Sequence, residues 1–449
     1  MAVAVIKDDR VIYLKGFGVL EAGGNAPVTP DTLFQIASTS KAFTTTAMAM
    51  LVDEKKMSWD DPVRKHVDYF HLSDSCADSL VTLRDVVSHR TGLSRHDELW
   101  DYGPWTREEV IRRIGGVELS KPFRSAYQYQ NIMFMTAGEA VAGAAGMPWE
   151  QFVKTRIFEP LGMKRSVISE SDWTRSERAS SHRYDAKKQT FTPRSTNDYA
   201  SLGPAGSIKS SARDLAQWVR FQLNEGMIDG KRLLSADALK ETWKPQTVIN
   251  ETSTSDDNPV TNINTYGLGW RVQDYRGQML VSHGGALNLY RAQVALLPQH
   301  KAGVVVLTNT NRGYGIIALR NAILDALIGK EKRDWNAHFL AREQSLDERS
   351  LESKQENEGK RHKNTKPSRE LASYAGKYNS EAYGPLTVTV DNDRLVIDWT
   401  RLRLPLVHHH YDTFAAVLDE EDIDELVTFT LGSDGEVKSV LIFGQVFVK

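Results

Sequence analysis

Apolar positions along this chain change period several times, and each change marks an element. Residues 2–6 and 11–14 are two short apolar runs either side of Asp8-Asp9, the pattern of a β-hairpin. A loop rich in Gly, Pro, Asn and Thr covers 21–32. Residues 34–54 then form a small-residue, mostly apolar run that reads as a buried helix. Thr82-Leu-Arg-Asp85 has capping-box spacing ahead of a short helix at Val86-Val87, which ends within 88–93. A polar helix starts at Arg107, and an Ala/Gly-rich apolar helix opens at Asn131 and continues to Ala145. A further helix covers 148–158, and Ser211-Ala-Arg-Asp214 caps another over 215–223.

Past residue 244 the period shortens. Residues 244–264 are a Thr/Asn/Ser/Asp-rich loop, and 266–307 alternate as antiparallel strands, with 290–297 and 303–307 as partners. One strand, 279–282, ends directly at His283-Gly284-Gly285-Ala286, and a closing helix covers 316–328. Residues 330–369 are dense in Lys, Arg, Glu, Gln and Asn, the composition of a solvated helix or linker. From 371 on, short alternating strands separated by Asp/Asn/Gly turns predict a small all-β domain. The expected division is therefore 1–329, a linker 330–369, and 370–449.

Composition narrows the function classes. With 41% apolar residues and ten Trp among 449, the chain can bury a sizeable core. Its 56 basic and 58 acidic residues leave a net charge of −2, which argues against a general nucleic-acid binder. A single cysteine, Cys76, excludes an intramolecular disulfide and a four-Cys zinc site. No run of eighteen apolar residues offers a membrane span, and the opening Met1-Ala-Val-Ala-Val-Ile-Lys-Asp-Asp-Arg10 carries no signal peptide.

Candidate chemistry starts in the apolar run at 34–54. Ser38 and Lys41 form the only Ser-x-x-Lys in the chain, and on a helix residues three apart share a face. A neutral lysine amine there can take the serine proton, whereas the plainer reading is a buried helix with a snorkelling lysine. Tyr129-Gln-Asn131 comes about ninety residues on, and His283-Gly-Gly285 stands straight after a strand. Tyr129 reads either as a proton relay or as a core tyrosine; Tyr127 is its rival, but only Tyr129 has an Asn two places on. Asn131 reads as a helix cap, a substrate contact or a partner of Lys41, and His283 as a site residue or a satisfied strand-end histidine.

Taken together and in this order, the three motifs resemble the serine β-lactamase and penicillin-binding-protein superfamily. The Tyr-x-Asn form with His-Gly-Gly third is similar to its class C β-lactamase, D-alanyl-D-alanine carboxypeptidase and esterase branch (peptidase family S12). Leu33-Phe-Gln-Ile-Ala-Ser38, Ser88-His-Arg-Thr-Gly-Leu93, Glu159-Pro-Leu-Gly-Met163, Pro204-Ala-Gly-Ser207 and Tyr266-Gly-Leu-Gly-Trp270 add to the likeness, which covers about residues 1–328. It implies an α+β fold: an antiparallel sheet of five or more strands (1–56 and 262–328) flanked by helices, with a helical lobe (60–240) inserted. It implies Ser38 as nucleophile, Lys41 as base, Tyr129 as proton relay made more acidic by the lysine, and His283 facing the cleft. Asn131 would touch substrate or Lys41, and the Ser38 and Ala286 N–H groups would form the oxyanion hole, with Gly284 and Gly285 letting the main chain approach substrate.

Two departures from the family pattern matter. His283 stands where true β-lactamases have Lys, which weakens carboxylate binding and places antibiotic resistance in doubt as the main role. The family's N-terminal helix has no counterpart before the first strand, so an upstream piece, with any export signal, is expected to be missing; the resemblance implies a periplasmic or secreted location. Tyr374-Ala-Gly-Lys-Tyr378 and the strands after it resemble the lipocalin-like β-barrel appended to some members. His408-His409-His410 with Glu420-Glu421 suggests a metal, but a surface or barrel-rim role is preferred, and neither metal nor cofactor is expected.

The resulting expectation is a serine hydrolase forming an acyl-enzyme on ester or amide bonds of small substrates or short peptides with D-residues. Its alternatives are a β-lactamase proper and a non-catalytic peptidoglycan- or peptide-binding sensor on the same fold. Expected partners are the small-molecule or peptide substrate and a second copy of the chain through the C-terminal domain, with no nucleic acid.

Overall fold

The computed structural model describes residues 1–185, 188–249, 260–418 and 423–449. Residues 250–259 of the expected loop, and Glu420-Glu421, lie outside the described residues. Two compact units emerge: Met1–Arg95 with Glu118–Gln344, and His96–Val117 with Ser345–Lys449.

The first unit is built on an eight-stranded sheet in the order Arg10–Gly16, Ala2–Lys7, Ala302–Thr308, Tyr290–Leu297, Gln278–Leu287, Arg271–Tyr275, Asn264–Tyr266, Thr247–Val248. Every neighbouring pair is antiparallel. The N-terminal hairpin thus completes a sheet whose other strands come from the far end of the unit, with Ala4 opposite Val305. Ala302–Thr308 is buried along its whole length, which is why it reads as an unbroken apolar run rather than an alternating one. Val3, Val5, Val304 and Val306 share a core with Ile316 and Leu324 of the helix Tyr314–Leu327. On the strand Ala302–Thr308, a Cβ added at Gly303 would meet Val219 of the helix Ala212–Leu223, which Ser211 caps by accepting from the Asp214 N–H.

The helices that carry the candidate chemistry pack on each other. Ser40–Asp53 lies against Asn131–Ala145, and the short turn Gly203–Gly206 touches both. Gly138 makes that approach possible, since a Cβ there would lie 2.0 Å from Pro204 Cγ. Hardly any polar face is left on Ser40–Asp53, whose residues 40–51 are all buried.

Two features differ from the sequence reading. The strand expected to stop at 282 continues through the His-Gly-Gly motif to Leu287, paired from Val281 to Leu287 with Tyr290–Leu297. Ser38 itself sits in a 3₁₀ turn, Ala37–Thr39, and the α-helix begins at Ser40. The compact units also divide the chain at other places than the expected 1–329, 330–369 and 370–449. The charged stretch after 330 is mostly a helix, Trp335–Gly359, and Trp335 and Phe339 on its first turns are buried in the sheet unit's core. Trp335 Nε1 donates to Asp325 Oδ2 at 2.7 Å, so these two aromatics anchor what composition alone marks as solvated.

The second unit is a closed barrel of eight antiparallel strands, from Gly376–Ser380 to Gln445–Val448. Aromatic rings fill its interior: Tyr374, Phe414 and Phe429 pack mutually, as do Tyr383, Trp399 and Phe447. Residues 96–117 belong to this unit although they interrupt the other one in sequence. Arg113 donates to the Ala382 carbonyl at 3.0 Å, and His96 Nδ1 lies 2.7 Å from Tyr383 Oη. His408 and His410 lie at the end of the strand Leu402–His410, and His408 Nε2 is 2.9 Å from the Tyr411 carbonyl. Among the described residues no group of three His, Cys, Asp or Glu side chains is arranged to hold a metal ion.

Gly285 is the tightest joint between the sheet and the turn that carries Ser38, because a Cβ there would stand 2.2 Å from the Ile36 carbonyl oxygen. Main chain cannot yield as a side-chain tip does, so Gly285→Ala is expected to cost about 2 kcal/mol or more. The midpoint of urea unfolding measures this; an unchanged midpoint contradicts the joint.

Candidate active site

Ser38 comes after Ala37, whose φ of +48° is left-handed, a conformation that costs an alanine about 1 kcal/mol and that places the next side chain out of the regular helix path. Ser38 is half-buried while its neighbours Ala37, Thr39 and Ser40 are buried. The Lys41 amine lies 3.3 Å from Ser38 Oγ. It also donates to Asn131 Oδ1 at 2.7 Å and to the Ala205 carbonyl at 2.9 Å. The ammonium end stands over the Tyr129 and Phe134 rings, 4.8 and 5.2 Å from their centroids. Lys41 is fully buried, so snorkelling is excluded.

Tyr129 hydrogen-bonds Ser38 through its phenol. Burial raises that phenol well above its ordinary pKa, outweighing the Ser38 bond and the charges of Arg95 and Arg271, which lower it. The sequence reading expected a more acidic phenol beside the lysine; desolvation wins instead, and Tyr129 keeps its proton. Tyr127, its rival, packs on the Tyr266 ring at 5.6 Å. Asn131 holds Lys41 and does not cap the helix: Gln130 is the cap, accepting from the Ile132 N–H at 2.8 Å.

His283 is buried, with Nε2 2.9 Å from Tyr266 Oη and Nδ1 2.7 Å from the Gly284 carbonyl. A carbonyl only accepts, so Nδ1 carries the proton and Tyr266 donates to Nε2. Burial first, then the charge of Lys41, depress its pKa to about 3. The imidazole is neutral and both nitrogens are engaged within the protein, unlike the cleft-facing relay the motif suggests. Gly285 faces the Ile36–Ala37 turn rather than opening room for substrate, and Gly284 leaves space for the Gln293 amide, 2.9 Å from where its Cβ would be. Ala286 is exposed at the strand's end, beside a two-residue hairpin tip, Asn288 and Leu289, both with positive φ.

Several residues here escaped the sequence reading. His89 and Tyr266 stack into the same aromatic cluster as Tyr129, at 4.4 Å (His89–Tyr129) and 4.5 Å (His89–Tyr266). Arg95 stands 5.2 Å from the Tyr129 ring centroid and Arg271 6.0 Å from that of Tyr127. His89 and Tyr266 lie in the stretches Ser88-His-Arg-Thr-Gly-Leu93 and Tyr266-Gly-Leu-Gly-Trp270, which the resemblance already marked without a role.

A family model described as Beta-lactamase matches residues 1–327. The chain belongs to the β-lactamase family. A second model, described as a domain of unknown function (DUF3471), matches residues 360–447. Unguisins hydrolase ungD' of Aspergillus campestris is 30% identical over 413 residues, 88% of this chain and 75% of that protein. Protein flp of Staphylococcus aureus (strain MW2) is 24% identical over 318 residues, covering 70% of this chain and 60% of its own length. Among solved structures, the octameric penicillin-binding protein homologue from Pyrococcus abyssi matches with a TM-score of 0.63 at 22% identity, over 100% of this chain and 95% of that one. A class C β-lactamase from Rhodobacter sphaeroides matches with a TM-score of 0.57 at 24% identity, over 73% and 93%. As a member of this family the chain is a serine hydrolase with the β-lactamase-like fold.

Holding imidazoles neutral ties stability to pH. His283 has its pKa depressed from 6.5 to about 3, and that of His89 is also lowered, by burial first and then Lys41. The unfolded chain therefore binds these protons first, so stability is full above pH 6.5 and falls as pH drops toward 3. At pH 5 His283 alone lowers stability by about 2 kcal/mol. His283→Asn is expected to flatten the fall in melting temperature between pH 7 and 5; an equally steep fall contradicts the assignment.

Proposed function

We propose that this hydrolase works through an acyl-enzyme on Ser38, formed on ester or amide bonds of small substrates or short peptides containing D-residues. One observation carries the reading: the Ser38 hydroxyl lies between the Lys41 amine, 3.3 Å away, and the Tyr129 phenol. Asn131 Oδ1 and the Ala205 carbonyl are acceptors only, so each holds one Lys41 hydrogen in either protonation state. The remaining position of a neutral amine is a lone pair aimed at Ser38. It accepts the serine proton as Oγ attacks the carbonyl carbon.

The oxyanion that forms is held by the Ser38 and Ala286 N–H groups. Collapse of the tetrahedral intermediate breaks the bond to the leaving group, which takes a proton from the Tyr129 phenol; Lys41 returns the serine proton to Tyr129. Water then attacks the acyl carbon through the same groups in reverse, releasing the acid and free Ser38. Neutral His283 supports the strand that carries Ala286 through its bonds to Tyr266 and Gly284. A relative named for hydrolysing unguisins supports a hydrolytic rather than a sensing role.

A panel of p-nitrophenyl esters, D-amino-acid amides and nitrocefin identifies the carbonyl class. A fluorophosphonate or penicillin probe is expected to label Ser38. Ser38→Ala is expected to abolish labelling and turnover, and Tyr129→Phe to lower kcat about 10²-fold. Undiminished hydrolysis by Ser38→Ala sinks the mechanism.

The same proposal includes self-association through the barrel. Leu441, opposite Val446 on the next strand, is 41% exposed and Val446 55%, with Val407, Leu426 and Val448 also outward. The octameric Pyrococcus abyssi homologue supports the idea. Light scattering is expected to show an oligomer that Leu441→Glu weakens; a monomer at all concentrations refutes it.

A further inference from the structure

His89 is outside the three motifs, yet its main chain and side chain both hold the segment that carries Tyr129. It lies at φ +58° in the turn after the helix Leu83–Val86. Asp85, buried in that helix, pins the turn through Arg90 at 2.6 Å and pins Arg124 at 2.7 Å. The His89 carbonyl accepts from the Gln128 N–H at 2.8 Å. Its Nδ1 accepts from the Gln130 N–H at 3.1 Å. The two bonds fall on either side of Tyr129.

With Nδ1 accepting, the neutral ring carries its proton on Nε2. Nε2 is buried among the rings of Tyr129, Phe134 and Tyr266, with no hydrogen-bond partner among the described residues. The ring is thus oriented to serve its Nδ1 bond and not to satisfy both nitrogens. Here the ring plane is set by what Nδ1 must reach and by the Tyr129 ring it lies against, 4.4 Å away and tilted by 35°.

We propose that His89 is a positioning residue for Tyr129, gripping the main chain on both sides of it and bracing its ring so that the phenol rests on the Ser38 hydroxyl. It touches no reacting atom and acts through Gln128, Gln130 and the ring contact. The inference rests on Tyr129 being the proton donor of the acyl-transfer mechanism.

The test is a double-mutant cycle on hydrolysis of a D-amino-acid amide, whose leaving amine must take a proton, with melting temperatures recorded for every variant. His89→Ala removes the side-chain acceptor and is expected to lower kcat at least about tenfold, with KM changed less than about threefold. In the Tyr129→Phe background the same change is expected to alter kcat less than about twofold, because the group it positions is already gone. His89→Asn keeps an acceptor near the Nδ1 position and tolerates positive φ, so it is expected to recover most of the lost kcat. It also serves as the folded comparison should His89→Ala not fold. Equal losses from His89→Ala with and without Tyr129, or no recovery in His89→Asn, overturn the proposal while the mechanism stands. Full turnover by Ser38→Ala overturns both.

Discussion

One buried amine constrains the whole unit that carries the candidate site. Lys41 has no exposed surface, and an amine removed from water needs an acceptor for each hydrogen it keeps. Asn131 at the start of another helix and the Ala205 carbonyl on the Gly203–Gly206 turn accept from it, and Ser38 on the preceding turn lies 3.3 Å away. Satisfying that single group therefore fixes how the two helices and the turn meet. Gly138 removes the Cβ that would keep Pro204 away, and Thr44 secures the same turn by donating to the Pro204 carbonyl at 2.7 Å.

The second half of the site arrives from the sheet, and its constraint is steric. The strand Gln278–Leu287 meets the turn that carries Ser38 at Gly285, where no side chain fits. The turn in turn strains Ala37 into a left-handed conformation. Strain beside Ser38 and a glycine on the opposing strand are two sides of one close approach.

Electrostatics then sorts the protonation states. Burial first, and then nearby positive charge (Arg271 for both, Arg95 for His89), keeps His89 and His283 neutral. Tyr129 feels the same charges, but its burial is the larger effect and keeps the phenol protonated. A site with protonated Tyr129 and neutral imidazoles has its hydrogen-bond directions settled by the fold itself.

Much of this was legible in the chain itself. Period-2 and period-3.6 patterns located the hairpin Ala2–Lys7 with Arg10–Gly16, the helices Asn131–Ala145 and Ala212–Leu223, and the strands of the C-terminal barrel, because apolar faces must be buried whatever the topology. Ser38, Lys41, Tyr129 and Asn131 could be read as candidates from motif order, and the structure brings these side chains together. What period cannot report is contact between distant segments. Only the folded chain decided that Trp335 and Phe339 anchor a charged helix, and that residues 96–117 join the barrel unit. It also decided that Gly285 serves the turn that carries Ser38, that Tyr129 becomes less acidic, and that His89 grips the chain around Tyr129. Each of these depends on desolvation or on a distance of a few ångströms between residues far apart in sequence, and neither quantity exists until the tertiary structure has formed.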